Sequence, residues 1–319
     1  MEKPIPQRPL VSICIPVYNG ATWIAEALES ALAQTYPELE IVVSDNASTD
    51  ETAAIVRSYP DPRIRLKTAA RNAGIAANHN RTVLLARGEF VKFLHHDDRL
   101  LPTCVEEMVA LALEDPEIGL VFAPREVLLV DPDDEDSVAW VEHYGMLHEH
   151  FSQLQRINEG RDLLRQIIEA GVEENWIGEP SSVLLRRDAF AEVGMFNVAI
   201  EQSIDLDLWL RFLARFRVGF TDHVLSVYRH HAESLTARNA RTARDWLDTL
   251  WMLETLCSLE GLGDARERAN SLRRAALRQA LRSQAKRILH LKFEPDLFVY
   301  LARRAGRRRF REPRWQEGL

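Results

Sequence analysis

The sequence predicts an α/β protein with a doubly wound, mostly parallel central sheet and a C-terminal helical extension. Three observations support this prediction. Continuous apolar runs of strand length recur over the first 123 residues, as expected for strands that are buried on both faces. Segments with helical periodicity and short connections separate these runs, which is the pattern of repeated β-α-β units. From about residue 239 onward, long helical segments rich in Arg and Leu follow.

The first five strands and their helices alternate in order along the chain. Strands are predicted at 11–17, 38–44, 63–68, 89–94 and 118–123. Helices are predicted from Thr22 to Leu32, after the capping residues Ser48 to Asp50, over 75–86 and over 102–113. Ser, Thr and Asp favour helix starts because their side-chain oxygens accept hydrogen bonds from free backbone N–H groups.

After residue 124 the alternation becomes irregular. The acidic stretch 130–137 predicts a solvated loop, and 140–156 gives no clear pattern. Further elements are predicted as a helix at 161–170, a strand at 181–187 leading into a short helix that ends near Gly194, an amphipathic helix at 205–216 and two short strands within 217–231. We therefore expect one α/β domain over 1–238 and a helical, Arg-rich extension over 239–319.

Composition and charge exclude several classes of protein. The 319 residues carry a net charge of −8, and the excess of Asp and Glu before residue 239 argues against nucleic acid as the partner. Three scattered cysteines predict no disulfide framework. Neither a signal peptide nor an apolar run of about 18 residues is evident, so a cytoplasmic protein is expected.

Polar segments follow four of the predicted strands. They are PVYNG at 16–20, SDNASTDET at 44–52, RNAGIAANHN at 71–80 and HHDD at 95–98. Carboxyl ends of parallel strands meet at one edge of the sheet, where ligands bind in such folds. Buried charge at HHDD must be paired or bound to metal. Neither GxGxxG nor GxxxxGK[ST] is present, which excludes the common dinucleotide and P-loop fingerprints.

These segments, in this order, resemble the family 2 glycosyltransferases, which have a GT-A fold. The likeness continues in NWIGEPSSVLLRR at 175–187, SIDLDLWLRF at 203–212 and YRHHAESLT at 228–236, and it covers roughly residues 10–236. It implies an inverting enzyme that moves a sugar from a nucleotide diphosphate, with UDP or dTDP expected, to a hydroxyl of a glycan or lipid-linked acceptor. Such enzymes commonly build bacterial surface polysaccharides.

The resemblance implies that the loop after the first strand, with Pro16, Val17 and Tyr18, holds the nucleotide base. Asp45 would accept a hydrogen bond from the base, which needs one aromatic or apolar face and one partner at its edge. The alternative for Asp45 is helix capping alone.

A second part of the donor site is implied at the family's R-N-x-G loop. Arg71 would meet phosphate or ribose oxygens, Asn72 belongs to the same loop, and Gly74 would let the backbone approach closely. The alternative is an ordinary turn before a helix.

HHDD matches the family's D-x-D signature with one departure. His95 stands at the first aspartate, His96 at the variable position, and Asp97 at the metal-ligand position, so Mn²⁺ or Mg²⁺ is expected there. His95 could bind the ribose or Mn²⁺. Asp98 is expected to cap or orient the next helix, and His231 to lie near the diphosphate or the metal.

The acceptor side is implied by Trp176, Gly178 and Pro180. Trp176 could stack on a sugar, or it could belong to the core.

In the next segment the family's glutamate is Ile204, and Asp205 falls on the position of the catalytic base. Spacing alone does not separate Asp205 from Asp207, since both are favourable carboxylates at a helix N-terminus.

Two other classes of function compete with this interpretation. Because His95 and Ile204 depart from the family pattern, the alternative is a non-catalytic subunit that binds nucleotide sugars or acts as a scaffold. A nucleotidyltransferase is not supported, because no Gly-rich, Lys-containing loop follows the first strand.

The C-terminal extension could pack back on the domain or form a dimer seam. Its basic run, Arg303 to Arg314, predicts a solvated face first, contact with an anionic membrane surface second and nucleic-acid binding last.

Overall fold

The computed structural model describes residues 8–231, 245–289 and 296–307. The strands are β1 (Val11–Val17), β2 (Leu39–Asp45), β3 (Ile64–Thr68), β4 (Phe90–Phe93), β5 (Arg99–Leu100), β6 (Ile118–Phe122), β7 (Arg125–Leu129), β8 (Ile157–Glu159), β9 (Val183–Arg186), β10 (Arg217–Phe220) and β11 (Ser226–His230). The helices are α1 (Ile24–Leu32), α2 (Thr52–Arg57), α3 (Ile75–Leu85), α4 (Cys104–Ala112), α5 (Glu135–Tyr144), α6 (Gly160–Ala170), α7 (Phe190–Val193), α8 (Ile204–Arg215), α9 (Asp245–Ser258), α10 (Ala265–Leu289) and α11 (Asp296–Arg307).

The central sheet has eight strands in the order β3-β2-β1-β4-β9-β6-β10-β8. The pairs β3–β2, β2–β1, β1–β4 and β6–β10 are parallel, whereas β9 runs antiparallel between β4 and β6. The mostly parallel α/β sheet predicted from the sequence is thus confirmed. The antiparallel β9 brings the residues before it to the same edge as the ends of β1, β2 and β4.

Helices cover both faces of this sheet. Helices α1, α2 and α4 pack on one face, in an apolar cluster that includes Ile24, Leu28 and Met108. Helices α3, α6 and α8 pack on the other, in a cluster that includes Leu164, Trp209 and Phe212. Each buried apolar side chain of this size stabilises the fold by about 1.5–3 kcal/mol.

A second, three-stranded sheet has the order β5-β11-β7. Its strands β5 and β7 were not predicted, because β5 has two residues and β7 is half-exposed on most of its length. Through the pairing of β11 with β5, this sheet places the end of β11 beside the HHDD segment.

The acidic stretch 130–137 is an exposed turn up to Asp134, as predicted, but its last three residues belong to a helix, which was not predicted. Helix α5 begins at Glu135, and Asp134 caps it by accepting a hydrogen bond from the Ser137 N–H at 2.9 Å. Carboxylates at a helix N-terminus are stabilised by the helix dipole, so this acidic cluster marks a helix start.

The predicted C-terminal helices divide into α9, α10 and α11. Leu250, Trp251 and Leu256 of α9 lie in the same apolar cluster as α8. Nearly every side chain of α8 is therefore buried, although its sequence suggested one solvated face. Among the residues that the structure describes, no helix is both long and apolar enough to cross a membrane. The basic run that begins at Arg303 lies outside the described side chains.

Candidate active site

The polar strand ends converge at one edge of the central sheet. The backbone N–H of Asn46, just after β2, donates to the Val17 carbonyl at the end of β1 at 2.8 Å. At the end of β4, the His95 N–H donates to the Ser181 hydroxyl at 3.0 Å, and Ser181 precedes the antiparallel β9. These links bring the polar segments after β1, β2 and β4 to one edge of the sheet.

Asp45 ends β2 and is fully buried. Its Oδ1 accepts a hydrogen bond from the Ser48 N–H at 3.0 Å, whereas its Oδ2 has no partner. A buried carboxylate oxygen without a donor is costly. Helix α2 begins only at Thr52, so capping does not account for Asp45, and Oδ2 remains free to accept a hydrogen bond.

The residues of the first loop differ in exposure. Pro16 and Val17 belong to β1 and are buried, so their side chains shape the wall of the site. Tyr18 follows them and is 44% exposed. Of the three, Tyr18 alone offers a large open face to a ligand.

The loop before α3 is tied to the end of β2 by side-chain amides. Asn46 Nδ2 donates to Asn72 Oδ1 at 2.9 Å, and Asn72 Oδ1 also accepts from the Gly74 N–H at 2.9 Å. Gly74 has a φ of 90°, a conformation that favours glycine. Arg71 lies exposed on the same loop, so its guanidinium is available to an anionic group.

His95, Asp97 and Asp98 form a compact group of ligand-type side chains, each offering one ligand atom within 4.8 Å of the others. Burial alone would raise the pKa of Asp97. The neighbouring imidazoles of His96 and His231 outweigh burial and hold this pKa well below its usual range. Burial and the adjacent Asp97 carboxylate raise the pKa of Asp98 well above its usual range.

Asp98 is held on both oxygens. Its Oδ2 accepts from the Ser181 hydroxyl at 2.5 Å and its Oδ1 from the Arg229 N–H at 3.0 Å. Helix α4 begins only at Cys104, with Thr103 at its N-cap. The expectation that Asp98 caps this helix was therefore wrong, since Asp98 joins β4 to the segments around β9 and β11.

His96 packs against the first loop. A Cβ placed on Gly20 would lie 2.5 Å from its ring, so only glycine at position 20 leaves room for the imidazole. His96 therefore fixes the position of the loop that bears Tyr18.

His231 joins the ligand group from the end of β11. Its Nε2 lies 3.2 Å from Oδ2 of Asp97. The neighbouring Arg229 donates from Nε to the Asp97 carbonyl at 2.9 Å, pairs with Glu26 and stacks over Trp23 at 4.1 Å. Arg229, which the sequence reasoning left without a role, thus fixes the backbone of Asp97.

The donor set fits a divalent cation such as Mn²⁺ or Mg²⁺. Carboxylate oxygens bind both ions, and imidazole nitrogens add affinity for Mn²⁺. Asp97 and Asp98 are adjacent carboxylates in a largely buried site, and a divalent cation would offset their repulsion. The set comprises Asp97 with His95, Asp98 and His231.

Asp205 lies in the first turn of α8 and is partly buried. Oδ2 accepts from Asn175 Nδ2 at 3.0 Å, and Oδ1 accepts from the Leu206 N–H at 2.8 Å. Burial, together with the charge of Glu179, raises the pKa of Asp205 to about 7. A carboxyl group with such a pKa can accept a proton efficiently near neutral pH.

Asp207 has a different environment. It is 1% exposed, and its Oδ2 accepts from Arg211 one turn later at 2.8 Å. Arg211 also donates to the Val193 carbonyl, which ties α8 to the end of α7. Asp207 thus serves packing within the domain, and the two first-turn carboxylates are separated by their surroundings.

The predicted acceptor residues are parts of one tight loop. Trp176 stacks on His150 with a centroid distance of 5.4 Å and meets Phe151 edge-on. Gly178 has a φ of 108°, and its carbonyl accepts from Trp209 Nε1 at 3.0 Å. Pro180 is buried at the start of a 3-10 turn. The Trp176 ring therefore packs partly into the protein.

Glu179 is a residue that the sequence reasoning missed, although it lies inside the quoted segment. It pairs with both Nε and Nη2 of Arg125, at 2.8 and 3.1 Å. Its charge contributes to raising the pKa of both Asp98 and Asp205. Glu179 belongs to the loop whose Asn175 bonds to Asp205 and whose Ser181 bonds to Asp98, and a lone acidic residue before a buried strand was the signal for it.

The chain is similar to one known protein family and to several known proteins. Residues 12–155 match the model of glycosyl transferase family 2. An uncharacterized protein of Mycobacterium tuberculosis is 41% identical over 76% of this chain and 74% of its own length. An uncharacterized glycosyltransferase of Rickettsia felis is 32% identical over 70% of this chain and 35% of its own length. The succinoglycan biosynthesis protein ExoO of Rhizobium meliloti is 39% identical over 34% of this chain and 31% of its own length.

Solved structures share the fold. S. aureus TarS in complex with UDP-GlcNAc superposes with a TM-score of 0.63 at 15% identity, over 93% of this chain and 81% of that one. A mannosyltransferase from Pyrobaculum calidifontis, in complex with GDP-Man and Mn²⁺, gives a TM-score of 0.55 at 20% identity, over 97% of this chain and 85% of that one.

Proposed function

Because this chain belongs to glycosyl transferase family 2, we propose that it transfers a sugar, with inversion, from a nucleoside diphosphate to a hydroxyl of a glycan or lipid-linked acceptor. The observation that carries this proposal is the loop over 175–181. Its Asn175 donates to Asp205 Oδ2 at 3.0 Å, and its Ser181 hydroxyl donates to Asp98. Burial raises the pKa of Asp205 to about 7, which suits a base. A base and a candidate diphosphate site therefore lie at the two ends of one short loop.

Donor binding is proposed at the edge formed by β1 and β2. The free Oδ2 of Asp45 would accept a hydrogen bond from the N–H of a uracil or thymine base, and Tyr18 would cover one face of the ring. This chemistry favours UDP or dTDP as the carrier. Arg71 lies exposed on the adjoining loop and would meet the phosphates or ribose.

The diphosphate is proposed to lie at Asp97, with His95 and His231 beside it. A bound Mn²⁺ or Mg²⁺ would supply charge neutralisation for the departing nucleoside diphosphate. Arg229 holds the Asp97 backbone, and Ser181 holds Asp98. These contacts keep the ligand side chains in place before the donor binds.

Asp205 is proposed as the general base. It takes the proton of the acceptor hydroxyl, whose oxygen forms a bond to C1 of the sugar. The bond between C1 and the phosphate oxygen breaks on the opposite face, and the nucleoside diphosphate leaves with the electron pair. Asn175 orients the Asp205 carboxylate through its 3.0 Å hydrogen bond. Such base assistance typically contributes about 10²–10⁴-fold.

A role in bacterial surface polysaccharide synthesis is proposed because the chain resembles ExoO, whose name states succinoglycan biosynthesis. We place this activity at the cytoplasmic side of the membrane, with peripheral contact through the basic C-terminus. Retention of the full chain on anionic vesicles at low salt, lost at high salt, would support this placement. Equal retention on neutral vesicles would contradict it.

The first test is a thermal-shift panel of UDP, dTDP, GDP and CDP, with and without Mn²⁺. Binding raises the melting temperature as RT ln(1 + [L]/Kd), so weak ligands register in excess. We expect a shift for UDP or dTDP that depends on Mn²⁺ and is lost in Asp97→Ala. No shift with any nucleotide would overturn the donor site.

The second test measures transfer with the donor so identified. Asp205→Asn should lower kcat by about 10²–10⁴-fold and leave the nucleotide shift intact. Asp162→Asn, which changes an exposed first-turn carboxylate of α6, is the matched control. Wild-type transfer by Asp205→Asn would refute the base. Binding without transfer or hydrolysis in the wild type would favour the non-catalytic alternative suggested by His95 and Ile204.

A further inference from the structure

A second imidazole lies behind His95. His79, in α3, is 2% exposed, and its Nε2 lies 3.1 Å from Nε2 of His95. The rings of Phe93 and Phe196 enclose His79 at centroid distances of 5.3 and 5.0 Å. A polar ring in such an apolar enclosure is stable only when its nitrogens are hydrogen-bonded.

The hydrogen bonds fix where the protons lie. His79 Nδ1 is 2.9 Å from the Ile75 carbonyl oxygen, which can only accept, so Nδ1 must carry a proton. A charged imidazolium is costly in this apolar enclosure, so the ring is neutral and its Nε2 is an acceptor. The proton between the two Nε2 atoms therefore belongs to His95.

This arrangement leaves a lone pair on Nδ1 of a neutral His95. Nδ1 lies 3.8 Å from Oδ2 of Asp98. This distance is too long for a hydrogen bond. With bonds of about 2.1 Å, two ligand atoms on one octahedral ion lie about 3.0 Å apart when adjacent and about 4.2 Å apart when opposite, so one cation can reach both atoms across 3.8 Å.

We propose that His79 fixes the tautomer of His95 so that His95 Nδ1 ligates the divalent cation, and that the site therefore prefers Mn²⁺ to Mg²⁺. The proposal rests on the proposed function only in that the cation would serve a donor diphosphate. Imidazole favours first-row transition ions over Mg²⁺. His79 is a positioning residue, because it acts through His95, as the outer partners of ligating histidines commonly do.

The test measures metal affinity in the full chain without any sugar donor. Mn²⁺ binding is followed by electron paramagnetic resonance, and Mg²⁺ binding by its competition with Mn²⁺. We expect wild type to bind Mn²⁺ at least about tenfold more tightly than Mg²⁺. His95→Asp should reduce that ratio severalfold, because a carboxylate replaces the imidazole.

Variants of His79 separate positioning from folding. His79→Leu should weaken Mn²⁺ binding about 10–100-fold, whereas His79→Gln, whose side-chain oxygen can accept from His95, should stay within about threefold of wild type. His143→Leu, at a histidine whose side chain is 57% exposed, is the control. Melting curves without metal show whether each variant folds.

Nitrogen-15 NMR of histidine-labelled wild type gives a reading that needs no variant. We expect Nε2 of His95 to be protonated and Nδ1 to be unprotonated in the metal-free protein. A protonated Nδ1, wild-type Mn²⁺ affinity in a folded His79→Leu, or an unchanged Mn²⁺ to Mg²⁺ ratio in His95→Asp would each overturn the inference. If the metal-binding results are as expected but the protein transfers no sugar, the proposed function would be refuted and the role of His79 would stand.

Discussion

The carboxylate of Asp248 in α9 provides a direct test of how the C-terminal extension serves the site. Asp248 is 3% exposed and accepts hydrogen bonds from the backbone N–H groups of Glu201, Gln202 and Ser203, the Gln202 bond being 2.6 Å long. Helix α8 begins at the next residue, and Asp205 lies in its first turn. Asp248→Ala removes the acceptor for three donors at the start of this helix.

The expected loss in the free energy of unfolding follows from those contacts. A buried donor left without a partner costs about 1–3 kcal/mol, and hydrogen bonds to a charged group contribute about 1.5–3 kcal/mol each. Burial raises the pKa of Asp248, so desolvation of the carboxylate offsets part of the stabilisation from these hydrogen bonds. We therefore expect Asp248→Ala to lower the free energy of unfolding by about 2–4 kcal/mol. With an unfolding entropy of about 2.1 cal/mol/K per residue over a chain of this size, the melting temperature should fall by about 3–6 °C.

Activity should change more selectively than stability. A displacement of Asp205 by about 1 Å can cost about 10²-fold in rate, so kcat of Asp248→Ala should fall at least tenfold. The donor KM should remain near that of wild type, because Asp45 and Asp97 lie on other elements. Differential scanning calorimetry and steady-state kinetics measure the two effects. Glu260→Ala, at an exposed residue of the same extension, is the control.

Two outcomes would refute this reasoning. Unchanged stability and kcat in Asp248→Ala would show that the carboxylate does not anchor the turn. A lower melting temperature with wild-type kcat would show that the turn is anchored but does not set the position of Asp205.

Three further predictions concern the candidate site. Since burial raises the pKa of Asp205 to about 7, kcat/KM should rise with pH to a plateau above about pH 7, as the carboxylate form accumulates; a profile flat from pH 5 to 9 would contradict this. The charge of Glu179 contributes to raising the pKa of Asp205, so Glu179→Gln should move the rise of kcat/KM to lower pH. Glu192→Gln, at an exposed ion pair with Arg215, should leave it in place. A profile that moves in neither variant would contradict the effect of Glu179 on Asp205. Asp45→Asn should weaken nucleoside diphosphate binding about 10–100-fold, because a hydrogen bond to a charged group is lost, while the Ser48 N–H contact is kept. Isothermal titration calorimetry measures this change, with Asp136→Asn as the control. Unchanged affinity would exclude Asp45 from base binding.

The sheet was predictable from the sequence because its signal is local. Runs such as Val11–Val17 are buried on both faces and read as continuous apolar stretches. The second sheet was not predictable, because β5 has only two residues and its pairing with β11 joins positions more than 120 residues apart. The start of α5 was mistaken for a loop, since Asp and Glu are common both in loops and in first helical turns.

In the candidate site, too, local sequence indicated some residues and not the partners they bind. The motifs placed Asp45, Asp97 and Asp205 at the ends of elements, where a sequence can indicate chemistry. Their partners come from elsewhere in the chain: Asp205 is bonded to Asn175, and the turn before α8 is bonded to Asp248. Such contacts follow from tertiary packing, which no short window of sequence contains.

The two departures from the family pattern have different structural consequences. Ile204 is 3% exposed and joins the apolar cluster of α8, so the change removes a carboxylate without leaving a buried polar group. His95 gains a partner in His79, which keeps a lone pair directed toward Asp98. Because Asp97 and Asp205 are both present beside the two changed positions, we expect an active transferase and not a scaffold. Metal binding and the pH profile can test this preference separately.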